Sequence, residues 1–284
     1  MVPEHPLSRN RGLVSDDEQQ RLAEARVLVA GVGGVGGRVA ETLTRLGVGT
    51  LVLADPDTFS VTNLNRQAAA TTITLGRNKA DVVAELCRSI GTGTRIEVVR
   101  EGIVETNVAD LVAASDVVID GTDYTLPDVG LRLARAARAA ATPVLLAVEI
   151  GFGVWHNVIP PDGARFERLL GLPATVTFDD LTSGRARVPL WRWVVSIPSY
   201  ADVDVLAQVE QGHLQAPAVA PAVELSAAVV STTVVSLLVG RRPVVSAPRV
   251  HHVDARTGKA RTLRPSRLRF SLSAARAWLG RSQM

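Results

Sequence analysis

Along the first 150 residues, short apolar runs alternate with amphipathic stretches. Val27 to Ala30, Thr50 to Ala54, Arg95 to Val99, Asp116 to Asp120 and Pro143 to Val148 have strand length. A helix that follows the first run and ends near Leu46, and further helices over Lys79 to Ile90 and Pro127 to Ala141, separate these strands. Strands alternating with helices predict a parallel sheet joined by right-handed crossovers. The first twenty-five residues are polar and carry a helix from about Ser15 to Ala25, with Ser15 able to cap it and Asp16 to Glu18 suited to its positive end. Pro56 to Asn78 is polar and has no clear period.

The texture changes after Gly151. Phe152 to Ile159 and Leu190 to Ile197 read as antiparallel strands on either side of a loop-rich segment, Pro160 to Arg187. A long helix near Pro221 to Gly240 and short strands around Val244, Val250 and Thr262 complete the chain, which has no internal repeat. The expectation is an α/β fold: a Rossmann-like sheet, mainly parallel, extended by antiparallel strands, with helices on both faces. Residues 1–25 form an N-terminal arm and helix, 26–150 a nucleotide-binding core, and 151–284 a substrate-side region of strands, loop, long helix and basic tail.

Composition narrows this picture. With 284 residues, 46% hydrophobic and 21% charged, the chain is expected to fold along most of its length. The single cysteine, Cys87, excludes an internal disulfide and a Cys-x-x-Cys zinc pair. No secretion signal opens the sequence, which predicts a cytoplasmic protein. Ala218 to Gly240 approaches the length of a membrane span, but Glu224 and many small or hydroxyl residues interrupt it, so it reads as a core or subunit-interface helix. The net charge is only +3, and the basic excess gathers at Arg256, Lys259, Arg261, Arg264, Arg267, Arg269, Arg276 and Arg281. Phe270 and Trp278 are the only aromatics among them, which favours a solvated tail or a subunit contact over nucleic-acid binding.

Candidate chemistry begins at Gly31, Gly33 and Gly36, a G-x-G-x-x-G pattern directly after a strand and before a helix, with Gly34 inside it. Such a loop brings phosphate to backbone N–H groups at the positive helix end. Asp55 closes the second strand, about twenty residues on, where an acid reads a ribose hydroxyl. These features suit NAD as well as ATP. Beyond them come Asp57, then Asn63, Arg66 and Gln67, then Lys79 at a helix start, a polar and cationic set directed at the same crevice. A triphosphate needs such additional cations. Lys79 and Lys259 are the only lysines among 31 basic residues, which makes Lys79 a candidate for a position that needs a compact ammonium. Asp120 and Asp123 lie at the carboxyl edge of the fourth strand, where Asp123 is placed to hold Mg²⁺ and either acid could instead cap the next helix.

Taken in order, these residues resemble the ubiquitin-activating-enzyme-like superfamily in its ThiF/MoeB branch. The match runs from about Arg9 to Glu149: an arginine arm with a Glu-Gln helix, Gly31 to Gly36, Asp55-x-Asp57, Asn63-Leu-Asn-Arg-Gln67, Lys79 and Thr122-Asp123. The resemblance implies ATP and Mg²⁺ as cofactors. Asp55 would bind the ribose, Asn63 and Arg66 the phosphates with support from Gln67, Lys79 the phosphate chain, and Asp123 Mg-ATP. It also implies a homodimer in which Arg9, with Arg11 as the alternative, acts in trans in the second copy's site. The implied reaction is attack of a carboxylate on the α-phosphorus, giving an acyl-AMP and pyrophosphate. That carboxylate would be the C-terminus of a small protein or peptide, or a small-molecule acid.

The chain departs from the family in lacking a cysteine in its later half. Cys87 falls on an apolar helix face with Val83 and Leu86, so it is expected to be structural and a thioester step is not expected. The sequence therefore looks like the cysteine-free relatives of peptide-modifying and natural-product pathways, although Tyr124 stands where asparagine is common. His156, His213, His251 and His252 lack metal-ligand spacing, and Trp155, Trp191 and Trp193 read as packing residues. Glu149, Trp155 and Arg192 are minor candidates for the substrate side. The rival readings are an NAD-dependent oxidoreductase and a non-catalytic nucleotide-binding scaffold.

Overall fold

The computed structural model describes residues 5–123, 127–241 and 244–280. Tyr124 and Arg281 lie outside them. Helix α1 (Asp16–Glu24) starts at a capping box in which Ser15 and Glu18 satisfy each other's backbone amides. Then follow β1 (Arg26–Ala30), α2 (Gly34–Arg45), β2 (Thr50–Ala54), α3 (Lys79–Ile90), β3 (Arg95–Val99), α4 (Val108–Ala113), β4 (Val117–Asp120), α5 (Pro127–Ala139) and β5 (Val144–Ile150). The later half comprises β6 (Gly153–Ile159), short helices α6 (Phe166–Leu170), α7 (Phe178–Thr182) and α8 (Leu190–Trp193), then α9 (Val203–Glu210), α10 (Ala220–Leu238), β7 (Val250–Asp254), β8 (Lys259–Leu263) and α11 (Arg267–Gly280).

All eight strands form one sheet in the order β3-β2-β1-β4-β5-β6-β7-β8. Pairing is parallel from β3 to β5 and antiparallel from β5 to β8. The strand order reverses between β1 and β4, and open α/β sheets bind ligands outside such a switch point. Strand alternation sorts the core into two layers: Val27 and Val29 pack with α2, α3 and α10, whereas Leu28 and Ala30 pack with α4, α5, α6 and α8. Helix α10 buries Ala222, Val223, Ala227, Val230 and Val234 against α2, β5 and β6. It is the one described helix long and apolar enough to cross a membrane.

Three expectations are corrected. Leu190 to Ile197 is not an antiparallel strand: α8 begins after Pro189, and the segment then runs on without strand pairing. Trp193, Val194 and Val195 are all buried, so the alternation of a one-sided strand is absent. No strand forms around Val244, where the chain makes only an isolated bridge between Val158 and Ser246. The basic C-terminal stretch keeps its cationic side chains solvent-exposed, but it is folded rather than a tail. Lys259 and Arg261 lie on edge strand β8, where charge discourages edge-to-edge pairing, and Arg267, Arg269 and Arg276 lie on α11. Helix α11 docks through buried Ala277 and through Ser273, whose hydroxyl accepts the Ile197 amide at 2.8 Å.

Candidate active site

The glycine loop leaves β1 at the switch point. Gly31 has φ +78°, and a Cβ there would lie 2.6 Å from the Gly121 carbonyl oxygen, so the loop passes against the end of β4 as only glycine allows. A Cβ on Gly36 would lie 1.9 Å from the Gly31 carbonyl, which fixes how closely α2 follows the turn. The N-terminal turn of α2 is thereby aimed at the crevice beyond β1 and β4.

Asp55, at the end of β2, is buried and accepts from the Val32 amide at 2.8 Å and the Asp57 amide at 2.9 Å. Burial pushes its carboxyl above the ordinary range, against the pull of those amides and of nearby Lys79. Each oxygen retains a lone pair for a ligand, but the carboxyl also ties β2 to the glycine loop, a role the strand-end position did not reveal.

The crossover after β2 closes on itself. Thr58 bridges Asn78, the Asn78 amide nitrogen donates to the Asp55 and Asp57 carbonyls, and the Lys79 amide donates to the Asp57 carbonyl at 2.9 Å. Lys79 thus begins α3 with its chain folded back, and its Nζ lies 2.9 Å from Asp57 Oδ2. Within the crossover, buried Asn63 accepts the Ser60 amide and Asn65 donates to the Ala218 carbonyl beside α10. Gln67 is buried with its Oε1 unpartnered, and its side chain lies 3.2 Å from where a Gly33 Cβ would be. That leaves a buried acceptor unsatisfied beside the glycine loop, an uncommon state for a buried polar atom. Arg66 donates to the Thr62 carbonyl and to Asn65, and stays half-buried.

The two acids of β4 divide. Asp120 is fully inside and accepts the Thr122 amide and hydroxyl at 3.1 and 2.6 Å, a local turn role, with burial raising its carboxyl. Asp123 is exposed at the sheet's carboxyl edge. No group of three or more His, Cys, Asp or Glu that could hold a metal occurs among the described residues.

Glu149 joins the site from β5. It is the one acid in the apolar strand β5, and its Oε1 lies 3.6 Å from where a Gly34 Cβ would be, across from Val223 of α10. Burial lifts its carboxyl to about 7, with Arg66 pulling the other way. A lone glutamate in an apolar strand was the available signal. Its approach to the glycine loop is a long-range contact.

Arg9 is not brought to this crevice within its own chain. It lies exposed on a 3₁₀ turn, Ser8–Asn10, next to Leu7, which presses on Gly47 beyond the far end of α2. Asn10 donates to Gln19, and Gln19 donates to the Leu46 carbonyl, holding Arg9 and Arg11 at that end.

The ThiF family model matches residues 7–272. The chain is 34% identical over 145 residues to the sulfur carrier protein ThiS adenylyltransferase of Escherichia coli, covering 51% of this chain and 57% of that protein. It is 38% identical over 120 residues to the tRNA threonylcarbamoyladenosine dehydratase of the same organism, covering 42% and 45%. It thus spans about half the length of these curated relatives. The solved structure of Escherichia coli MccB with ATP aligns at a TM-score of 0.63 and 16% identity over 88% of this chain and 66% of MccB. PaaA aligns at 0.62 and 20% over 87% and 66%. At these identities the structural likeness speaks for the fold.

Proposed function

The chain belongs to the ThiF family, and from that premise we propose that it activates a carboxylate with ATP, forming an acyl-AMP and releasing pyrophosphate without a cysteine thioester. The observation that carries this reading is the pairing of Lys79 with Asp57 at 2.9 Å beside the glycine loop. A dinucleotide rests both its phosphates on the loop and offers no further phosphate to that cation, whereas a triphosphate does.

In this reading the α2 amides and Lys79 hold the phosphates, Arg66 and Asn63 border them, and Gln67 uses its open Oε1 toward the nucleotide. Asp55 meets the ribose. The carboxylate oxygen attacks the α-phosphorus in line as the bond to pyrophosphate breaks, and the electron pair leaves on pyrophosphate. The nucleophile is already ionised, so no general base is needed; the protein supplies position and positive charge. Asp123 would hold Mg²⁺, which neutralises phosphate charge when bound. Arg9 would act in trans in a homodimer, consistent with its distance from its own loop.

Cys87 supports a route without a thioester: it is 1% exposed within α3, and burial pushes its thiol up, away from the nucleophilic thiolate. For the acid, relatives supply a range. One is named for adenylating ThiS, and MccB is solved with MccA. A protein or peptide C-terminus and a small acid therefore form the substrate panel.

The test is ATP–pyrophosphate exchange with magnesium and that panel, with NAD binding measured in parallel. Exchange dependent on one acid is the expected result. NAD binding without any exchange would overturn the reading in favour of the oxidoreductase.

A further inference from the structure

On the face of the sheet turned away from α10, β5 and β6 floor a cavity of about 500 Å³ roofed by α6, α8 and the chain at 264–265. The β5–β6 register sets Leu146 opposite Asn157 and Val148 opposite Trp155, so these four side chains share one face and line the floor. Glu149, the next residue along, points to the glycine loop on the other face. The sheet itself separates this cavity from the nucleotide crevice.

Its polar groups are unsatisfied in a consistent way. Asn157 is 7% exposed; its Nδ2 donates to the Arg249 carbonyl at 3.2 Å, but its Oδ1 has no partner. Trp155 is 2% exposed, stacks on His252 with centroids 3.9 Å apart, and leaves its indole N–H unpartnered. Arg192, whose guanidinium lies over Trp191, has a buried Nε–H with no acceptor. Buried polar atoms are nearly always paired, so three orphans around one void point to an occupant. The charge is one-sided as well: Arg168, Arg192 and Arg264 line the cavity and no acid does. Among the described residues none of the three arginines has a carboxylate partner.

We propose that this cavity is a second ligand site, distinct from the nucleotide crevice, for a small aromatic acid that also carries a hydrogen-bond donor. The apolar floor and the tryptophans Trp155 and Trp193 take the ring. The arginines take the carboxylate, with Arg192, half-buried, the least exposed of the three. The donor meets Asn157 Oδ1. Such a ligand fills the void and gives Asn157 Oδ1 and the Arg192 guanidinium the partners they lack.

The experiment is isothermal titration of the full chain with indole-3-acetate, with 3-methylindole as the uncharged counterpart, each with and without saturating ATP. One saturable site for indole-3-acetate is expected, unaffected by ATP, with 3-methylindole weaker by at least about tenfold. Arg192→Gln should weaken the acid by a similar factor. Arg264→Gln, at an exposed position that folding tolerates, should weaken it by about threefold or more. Absence of saturable binding overturns the proposal. So does competition by ATP, which puts the acid in the crevice, or binding unchanged in Arg264→Gln and in a folded Arg192→Gln.

Discussion

Lys79 Nζ sits 2.9 Å from Asp57 Oδ2, yet the lysine side chain is only 10% exposed while that of the aspartate is 67% exposed. The ammonium is held from inside the fold, by the return of the crossover to α3, and its carboxylate partner stands mostly in water. A phosphate oxygen can replace this solvent-facing carboxylate, and an apolar chain of similar length can replace the buried stem of the lysine. Lys79→Met is therefore expected to leave the urea midpoint nearly unchanged and to lower ATP–pyrophosphate exchange by about a hundredfold or more, the usual loss for a preorganised charge at a developing anion. Exchange within about threefold of the parent would remove Lys79 from the mechanism.

Glu149 gives a pH signature. Its carboxyl is raised from 4.5 to about 7, chiefly by burial. The folded chain therefore holds this proton more tightly than the unfolded chain does. Its contribution to stability is fully present below pH 4.5 and is lost as pH rises through about 7, by an amount on the order of 3 kcal/mol at most. Glu149→Gln should remove that loss, so that the stability difference between variant and parent grows across this window. ATP affinity should follow the same course, since an ionised carboxylate beside Gly34 opposes phosphate. Parallel profiles for variant and parent would exclude the assignment.

The contrast between Lys79 and Glu149 explains what the sequence made readable. The glycine loop and Lys79 depend on local rules, in which a turn and a first helical residue are contiguous with the helix they open, so their placement could be read directly. Glu149 reaches Gly34 only because β5 lies across β4 from β1, and nothing local announces that meeting. The second role of Asp55, accepting the Val32 amide, was hidden for the same reason. The 190–197 segment misled because apolar residues buried by several neighbours at once lose the period that separates strand from helix. Likewise, charge density alone did not show that the basic stretch forms an edge strand and a docked helix.

Arg9 offers a test that depends on assembly. Its turn is held near Gly47, at the end of α2 away from the glycine loop, so a role in catalysis requires a second copy. Arg9→Ala and Lys79→Met should each be inactive alone. After subunit exchange of an equal mixture, half the dimers pair one variant with the other, and one of their two sites has both native residues. Exchange activity should then recover to about one quarter of the parent. A mixture that stays inactive, or an Arg9→Ala protein active by itself, would remove the trans role.

Cys87 separates a direct transfer from a thioester route. The thiol is buried on the apolar side of α3 with Val83 and Ala84, and burial raises it further from ionisation. Reaching an acyl-AMP in the crevice would require α3 to leave the core, whose cost would be a large part of a domain's whole stability of about 5–15 kcal/mol. Cys87→Ala and Cys87→Ser are thus expected to keep full exchange and full product formation. The serine variant should be the less stable by about 1–2 kcal/mol, because it places a hydroxyl in an apolar layer. Intact mass of the parent incubated with ATP and the acid should show no adduct that hydroxylamine removes. A hydroxylamine-labile adduct on the parent, absent from a folded Cys87→Ala that still exchanges pyrophosphate, would establish the thioester and overturn direct transfer.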